Sequence, residues 1–142
     1  PDHATGDLVS GEYYRRFLME MHQELEEELS VPLMLHICGA TVDRMPYIAQ
    51  TGMAAFHFDS KNDPVEAMEA VDGKIRLVGN INNPTTLYAR GPEDVRAEVY
   101  AALDAGVQLI APECAIPLKT KLENLLEIPV AIEDWIAERG WN

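Results

Sequence analysis

A histidine and a cysteine two residues apart, His36-Ile37-Cys38, close the apolar run Leu33-Met34-Leu35, and a second cysteine, Cys114, follows another such run at Leu109-Ile110. Side chains at i and i+2 of a strand share a face, so His36 and Cys38 project together and can grip one ion, with Cys114 as the third ligand. One imidazole and two thiolates form a donor set suited to zinc. Three protein ligands leave a tetrahedral ion one open position, the arrangement of a catalytic rather than a structural site. A thiol bound at that open position, with a free pKa of about 8.5, would be held as thiolate at neutral pH. Two negative ligands favour attack by that sulfur over Lewis-acid hydrolysis.

Four strand-like segments, 33–38, 54–59, 75–81 and 107–114, alternate with helix-like segments at 42–50, 64–71, 92–105 and 122–138, and alternation of this kind predicts a parallel sheet. Pro64 and Pro92 stand where proline suits a first helical turn, beside the acids Asp63, Glu93 and Asp94. Gly52, Gly73 and Gly106 are expected as left-handed caps closing three helices. Ahead of the first strand, 13–29 reads as one more helix, with Tyr14, Phe17, Leu18, Met21, Leu25 and Leu29 in an apolar stripe and the acid run Glu24, Glu26, Glu27, Glu28 on a solvated face.

Strand parity predicts one polar interior surface. With His36 and Cys38 inward, Leu33, Leu35 and Ile37 face the helices; in the second strand His57 and Asp59 turn inward and Phe56 and Phe58 outward. Continued, the pattern places Arg76, Val78 and Asn80, then Gln108, Ile110 and Cys114, on the inner face. This is the pattern of a barrel lumen with its chemistry at the carboxyl ends of the strands. If neighbours pair in order, a flat sheet separates the first and fourth strands by about 14 Å at ~4.8 Å per strand, too far for one ion, so the sheet is expected to curl. Four βα units make half of an eightfold barrel, for which ~250 residues is typical. The expectation is a single domain over 1–142: the carboxyl-terminal half of a longer barrel, or a half that pairs with another copy through its open edges.

The 142 residues are 47% hydrophobic and 25% charged, the balance of a globular domain with one core. Eleven Lys and Arg stand against 24 Asp and Glu, a net charge of -13, and no basic stripe offers itself to phosphates, which argues against nucleic acid and anionic membrane surfaces as partners. No apolar run approaches the ~20 residues needed to cross a bilayer, and the start Pro1-Asp2-His3 carries no signal-peptide pattern, so a cytoplasmic location is expected. His36 beside Cys38 and the lack of a secretory signal favour thiols or thiolates over a Cys38–Cys114 disulfide.

Three stretches carry a family resemblance. Asp2-His3-Ala4-Thr5-Gly6-Asp7-Leu8-Val9-Ser10 resembles the segment just after mid-barrel in the uroporphyrinogen decarboxylase superfamily. Leu77-Val78-Gly79-Asn80-Ile81 with Pro84 is similar to its Gly-Asn strand end, and Ala111-Pro112-Glu113-Cys114-Ala115-Ile116-Pro117 to its final strand-to-loop turn. The resemblance runs over nearly the whole chain and over the second half of the family's fold. Within the superfamily, the methylcobalamin:coenzyme M methyltransferase branch carries His-x-Cys and a distant Cys as zinc ligands, matched here by His36, Cys38 and Cys114. The decarboxylases bind no metal and show a Gly-His-Gly type turn where Cys114 stands. The resemblance implies a zinc enzyme in which a small thiol such as coenzyme M takes a methyl group from methylcobalamin on a corrinoid protein, leaving cob(I)alamin.

Asp59 and Asn80, inward at strand ends, are the candidate substrate-binding residues; Asp59 can alternatively orient the zinc imidazole, and Asn80 can satisfy backbone groups. His57 is expected to be a satisfied interior histidine, Glu113 a salt-bridged rim residue unless the strand breaks at Pro112, and the scattered Met residues core filler. Three alternatives stay open. A tetrapyrrole decarboxylase would want inward cations, of which Arg76 is one. A fragment that binds zinc or a corrinoid protein without turnover is the second. Cobalamin-independent methionine synthase, similar in zinc-thiolate chemistry, is the third.

Overall fold

The computed structural model describes residues 3–140, so Asp2 of the resembling segment lies outside the described residues. In chain order the elements are α1 (Gly11–Phe17), α2 (Met19–Glu28), β1 (Met34–Ile37), a 3₁₀ turn (Val42–Arg44) leading into α3 (Met45–Ile48), β2 (Ala55–Phe58), α4 (Pro64–Val71), β3 (Arg76–Ile81), a π-helical turn (Asn83–Tyr88), α5 (Pro92–Asp104), β4 (Leu109–Pro112) and α6 (Leu122–Arg139). All four strands are parallel and neighbours pair in sequence order, β1-β2-β3-β4, as expected. This is the (β/α) half of a barrel, with β1 and β4 as its open edges.

Local chemistry starts the helices where the sequence indicates. The Asp63 carboxylate accepts the N–H groups of Val65 (2.9 Å) and Glu66 (3.1 Å) ahead of Pro64, and the Ser10 hydroxyl accepts from Tyr13 N–H at 3.1 Å. Gly52, Gly73 and Gly106 all have positive φ, but the residue that caps α4 is Asp72, itself left-handed at φ 50°.

The segment expected as one helix over 13–29 is two, which meet at Leu18, the C-cap of α1 and the N-cap of α2, with φ widened to -118°. Only part of its stripe is covered: Tyr14 is buried and Leu18 packs on the core, while Phe17, Met21, Leu25 and Leu29 are exposed. The expected 42–50 helix resolves into the 3₁₀ turn and the single turn α3, and the π-helical turn has no counterpart in the sequence reading.

Leu35, Ile37, Phe56, Phe58 and Leu77 leave the sheet on one side and pack against Met45, Ile48, Ala67 and Val71. A second cluster, Ile81, Leu87, Val95, Val99, Leu103, Ile128 and Ala131, joins the end of β3 to α5 and α6, and Ile110 touches both clusters. The other face of the sheet carries the row His36–His57–Val78–Leu109, paired residue by residue.

In β4 the expected parity is reversed. Leu109 and Ala111 share the inner face with Val78 and Asn80, while Ile110 pairs with Gly79 and packs outward, so neither Ile110 nor Gln108 lines the lumen as predicted. Gln108 and Ile110 keep one parity, and the ladder sets its face: with Leu109 opposite Val78, both turn toward the helix layer, where the Gln108 side chain accepts the Leu77 N–H at 2.8 Å and lies 4.0 Å from Met68 Sδ.

Phe58 lies under the curled sheet with no exposed surface. Phe58→Ala is expected to cost about 3–5 kcal/mol in urea unfolding, whereas Val65→Ala, on the exposed flank of α4, should change stability by less than about 0.5 kcal/mol. A Phe58→Ala loss as small as that of Val65→Ala would contradict this packing.

Candidate metal centre

The ligand atoms of His36, Cys38 and Cys114 lie within 4.8 Å of one another. His36 Nε2 is 3.0 Å from Cys38 Sγ, and Cys38 Sγ is 3.3 Å from Cys114 Sγ. Both cysteines are free thiols. A tetrahedral zinc ion with one nitrogen and two sulfur ligands has N···S and S···S edges of about 3.5 and 3.8 Å, so the His36–Cys38 and Cys38–Cys114 edges would each open by about half an ångström to take it. Strands β1 and β4 are three apart in the sheet, yet their two thiols touch. The sheet therefore curls, and the residues just past each strand end close the remaining distance.

His36 is held in the state a metal requires. Its Nδ1 lies 3.1 Å from the His57 carbonyl, which can only accept, so Nδ1 carries the proton and Nε2 turns a lone pair toward the thiols. Burial, and then the neighbouring His57, lower the His36 pKa from its ordinary value, against smaller upward contributions from the carbonyl bond and Asp59. The ring is thus neutral at pH 7. His57 in turn reaches across the lumen, its Nε2 donating to the Pro112 carbonyl at 2.8 Å, which is the satisfied interior role expected of it.

Asp59 serves the loop after β1. Its Oδ2 accepts the N–H of Gly39, next to Cys38, at 2.8 Å and its Oδ1 the N–H of Lys61 at 2.9 Å. Asn80 donates from its side-chain amide to the Asn62 carbonyl at 2.9 Å and is nearly buried.

Glu113 departs from expectation. The strand ends at Pro112, and Glu113 forms no salt bridge among the described residues: it is 6% exposed, with Oε2 accepting the Ser60 N–H and Oε1 the Asn83 N–H, each at 2.9 Å. Cys114 therefore reaches the site by the turn beyond the strand and not by strand parity.

Two asparagines escaped the sequence reading. Asn62 accepts the N–H groups of Thr41 (2.6 Å) and Val42 (3.2 Å) and donates to the carbonyls of Gly39 and Asp59, both at 2.9 Å. Asn83 donates to the carbonyl of Ala115 at 2.9 Å. The available signal was the local run of turn formers, Asp59-Ser60-Lys61-Asn62-Asp63 and Asn82-Asn83-Pro84, whose short polar side chains readily bind nearby backbone.

The electrostatics suit a cation. Partial burial pushes the Cys38 thiol up to about 11, and the adjacent Cys114 and the carboxylates of Asp59 and Glu113 act in the same direction. Thiolates gathered here need a positive charge among them, which a divalent ion supplies.

In the metal-free chain, Cys38 ionises near its ordinary value of 9.0 when unfolded and at about 11 when folded. Its contribution to stability is complete below the lower value and is lost as pH rises through the upper one. Urea unfolding in chelator should show wild type losing stability over that window more steeply than Cys38→Ser; parallel curves would contradict the electrostatics of the site.

Residues 1–135 match the family model described as uroporphyrinogen decarboxylase (URO-D). Methylcobamide:CoM methyltransferase MtaA of Methanosarcina barkeri is 31% identical over 135 residues, which cover 94% of this chain and 40% of that protein. Methylated-thiol–coenzyme M methyltransferase of Methanosarcina mazei is 32% identical over 123 residues, 86% of this chain and 33% of that protein. A solved methyltransferase from Methanosarcina mazei superposes with a TM-score of 0.88 at 29% identity, covering 93% of this chain and 40% of that one. The chain thus spans between 33% and 40% of the length of these relatives. With a family model matched over nearly its full length and the parallel half-barrel to go with it, the chain belongs to the uroporphyrinogen decarboxylase (URO-D) family.

Proposed function

We propose that this chain is the carboxyl-terminal, zinc-holding half of a methyltransferase that moves a methyl group from a methylcobamide, presented by a corrinoid protein, to a small thiol such as coenzyme M. The observation that carries the reading is the convergence of His36 Nε2, Cys38 Sγ and Cys114 Sγ within 4.8 Å at the carboxyl ends of the curled sheet. Relatives named for that reaction support it.

His36, Cys38 and Cys114 are the zinc ligands in this reading. Zinc held by them supplies the positive charge that lets a substrate thiol lose its proton at neutral pH. The chain's own residues prepare the site: the His57 carbonyl keeps the His36 proton on Nδ1, and Asp59 fixes the backbone beside Cys38. Asp59 and Asn80, at the ends of β2 and β3, are the side chains assigned to the polar part of the thiol substrate. The methylcobamide donor would supply the methyl group as an electrophile to the substrate sulfur, keeping the electron pair of the bond it gives up, and the thiol proton would pass to solvent.

A tetrapyrrole decarboxylase would need cations facing the lumen for its substrate's carboxylates. Arg76, at the start of β3 and the opposite end of the strand from Asn80, is poorly placed for that.

Metal analysis of the purified chain is expected to find one zinc per chain, and cobalt substitution to give thiolate-to-cobalt charge-transfer absorption. In the complete barrel, Cys114→Ser should abolish thiol methylation with little change in secondary structure, because a hydroxyl nearly matches a thiol in size but is a far poorer zinc ligand. A Ser variant that keeps both its zinc and the wild-type rate would sink the assignment.

The isolated chain leaves β1 and β4 unpaired at their outer edges, and it is expected to associate as a symmetric dimer that closes a barrel. Light scattering should return the mass of two chains. A monomer at high concentration with well-dispersed spectra would count against this.

A further inference from the structure

We infer that Glu113 is a positioning residue that sets the separation of the two thiol ligands, through a brace of backbone amides running from Cys38 across the loop after β2 to Cys114. This rests on the metal reading above and adds to it the device that holds two ligands from opposite sheet edges in contact.

The brace can be followed bond by bond. Gly39, next to Cys38, gives its N–H to Asp59; Ser60, next to Asp59, gives its N–H to Glu113; and Glu113 is the neighbour of Cys114. Each link is a backbone amide captured by a carboxylate, at 2.8 and 2.9 Å, with no flexible side-chain donor at its end.

Cys114 is also gripped on both sides. Before it, the Glu113 N–H donates to the Ile81 carbonyl at 3.0 Å and the Glu113 Oε1 takes the Asn83 N–H. After it, the Ala115 carbonyl accepts from the Asn83 side chain at 2.9 Å. Glu113 thus engages three elements at once: the end of β3, the start of the π-helical turn and the loop after β2. A buried carboxylate that spends both oxygens on backbone amides holds those segments in one geometry, because charge-assisted bonds are roughly twice as strong as neutral ones.

Glu113→Gln isolates the effect. The side chain keeps its size, but an amide offers one oxygen and one NH₂ group, so either Ser60 or Asn83 meets a donor where it had an acceptor. Metal-free chain is first treated with dibromobimane, which bridges two nearby thiols. Cobalt(II) is then titrated, with circular dichroism and urea unfolding to establish that the variant folds.

The folded variant is expected to cross-link Cys38 to Cys114 more slowly and to bind cobalt about 10- to 100-fold more weakly, the usual cost of losing a group that orients metal ligands. Its thiolate-to-cobalt band should fall toward that of Cys114→Ser, a change that general destabilisation does not produce. A folded Glu113→Gln chain with wild-type cross-linking rate, affinity and band overturns the proposal. Should that variant fail to fold, Glu113→Asp decides: it keeps both acceptor oxygens but draws them back by one methylene from the Ser60 and Asn83 N–H groups, and a roughly 2- to 10-fold loss of cobalt affinity supports the brace while an unchanged affinity overturns it. A wild-type chain that takes up no cobalt defeats the metal reading alone. The brace is then judged on cross-linking, with a slower variant supporting it and an equal rate refuting it.

Discussion

Everything at the carboxyl end of this sheet depends on making two sheet edges meet. Strands spaced at ~4.8 Å put β1 and β4 about 14 Å apart along a flat sheet, and the thiols that follow them are 3.3 Å apart. Two contacts that span non-neighbouring strands accompany the difference. His57 on β2 donates across the lumen to the Pro112 carbonyl on β4, and Glu113 beyond β4 takes the amide of Ser60 beyond β2. Hydrogen bonds to charged groups contribute about 1.5–3 kcal/mol each, and the hydrophobic layer under Phe56, Phe58 and Leu77 rewards the same curvature by wrapping the sheet on its helices.

Much of this was legible because periodicity is honest where one face of a strand is covered. In β1 and β2 the alternation of His36 with Leu35 and Ile37, and of His57 with Phe56 and Phe58, separates lumen from helix layer correctly, and the convergence of His36, Cys38 and Cys114 could be anticipated from their types and strand-end positions. The method failed where residue type misled about the face. In β4 the alternation is regular but of opposite face, because Leu109 pairs with Val78 and the polar Gln108 finds its partner, the Leu77 N–H, on the helix side, which residue type alone does not reveal. Cys114 arrived at the predicted place by a different route, the turn after Pro112. Glu113 was misjudged because an acid next to a strand end looks solvent-seeking, and only the fold brings the Ser60 and Asn83 amides to it.

The acidity of the chain has a local use that net charge conceals. Asp59, Asp63, Glu98 and Glu113 each accept backbone N–H groups in the strand-end loops, including Gly39, Lys61, Val65, Asn82, Ser60 and Asn83. Carboxylates are acceptor-only, so they suit loops whose amides lack ladder partners. Two of them, Asp59 and Glu113, also bear on Cys38 and push its thiol upward in pKa. Order in the loops and an electrostatic demand for a cation thus arise from the same side chains.

The route of the brace also decides what the half-barrel can do by itself. His36, Cys38 and Cys114 sit at the ends of the first and last strands, the two edges where further strands would join to close a barrel. Were their separation set across that opening, the site would exist only in the closed barrel. The connections run the other way, from Gly39 to Asp59 and from Ser60 to Glu113, through the loop after β2. Further strands can therefore complete the walls of a substrate pocket without being needed to bring these three side chains together, and metal binding can be measured on this chain independently of turnover.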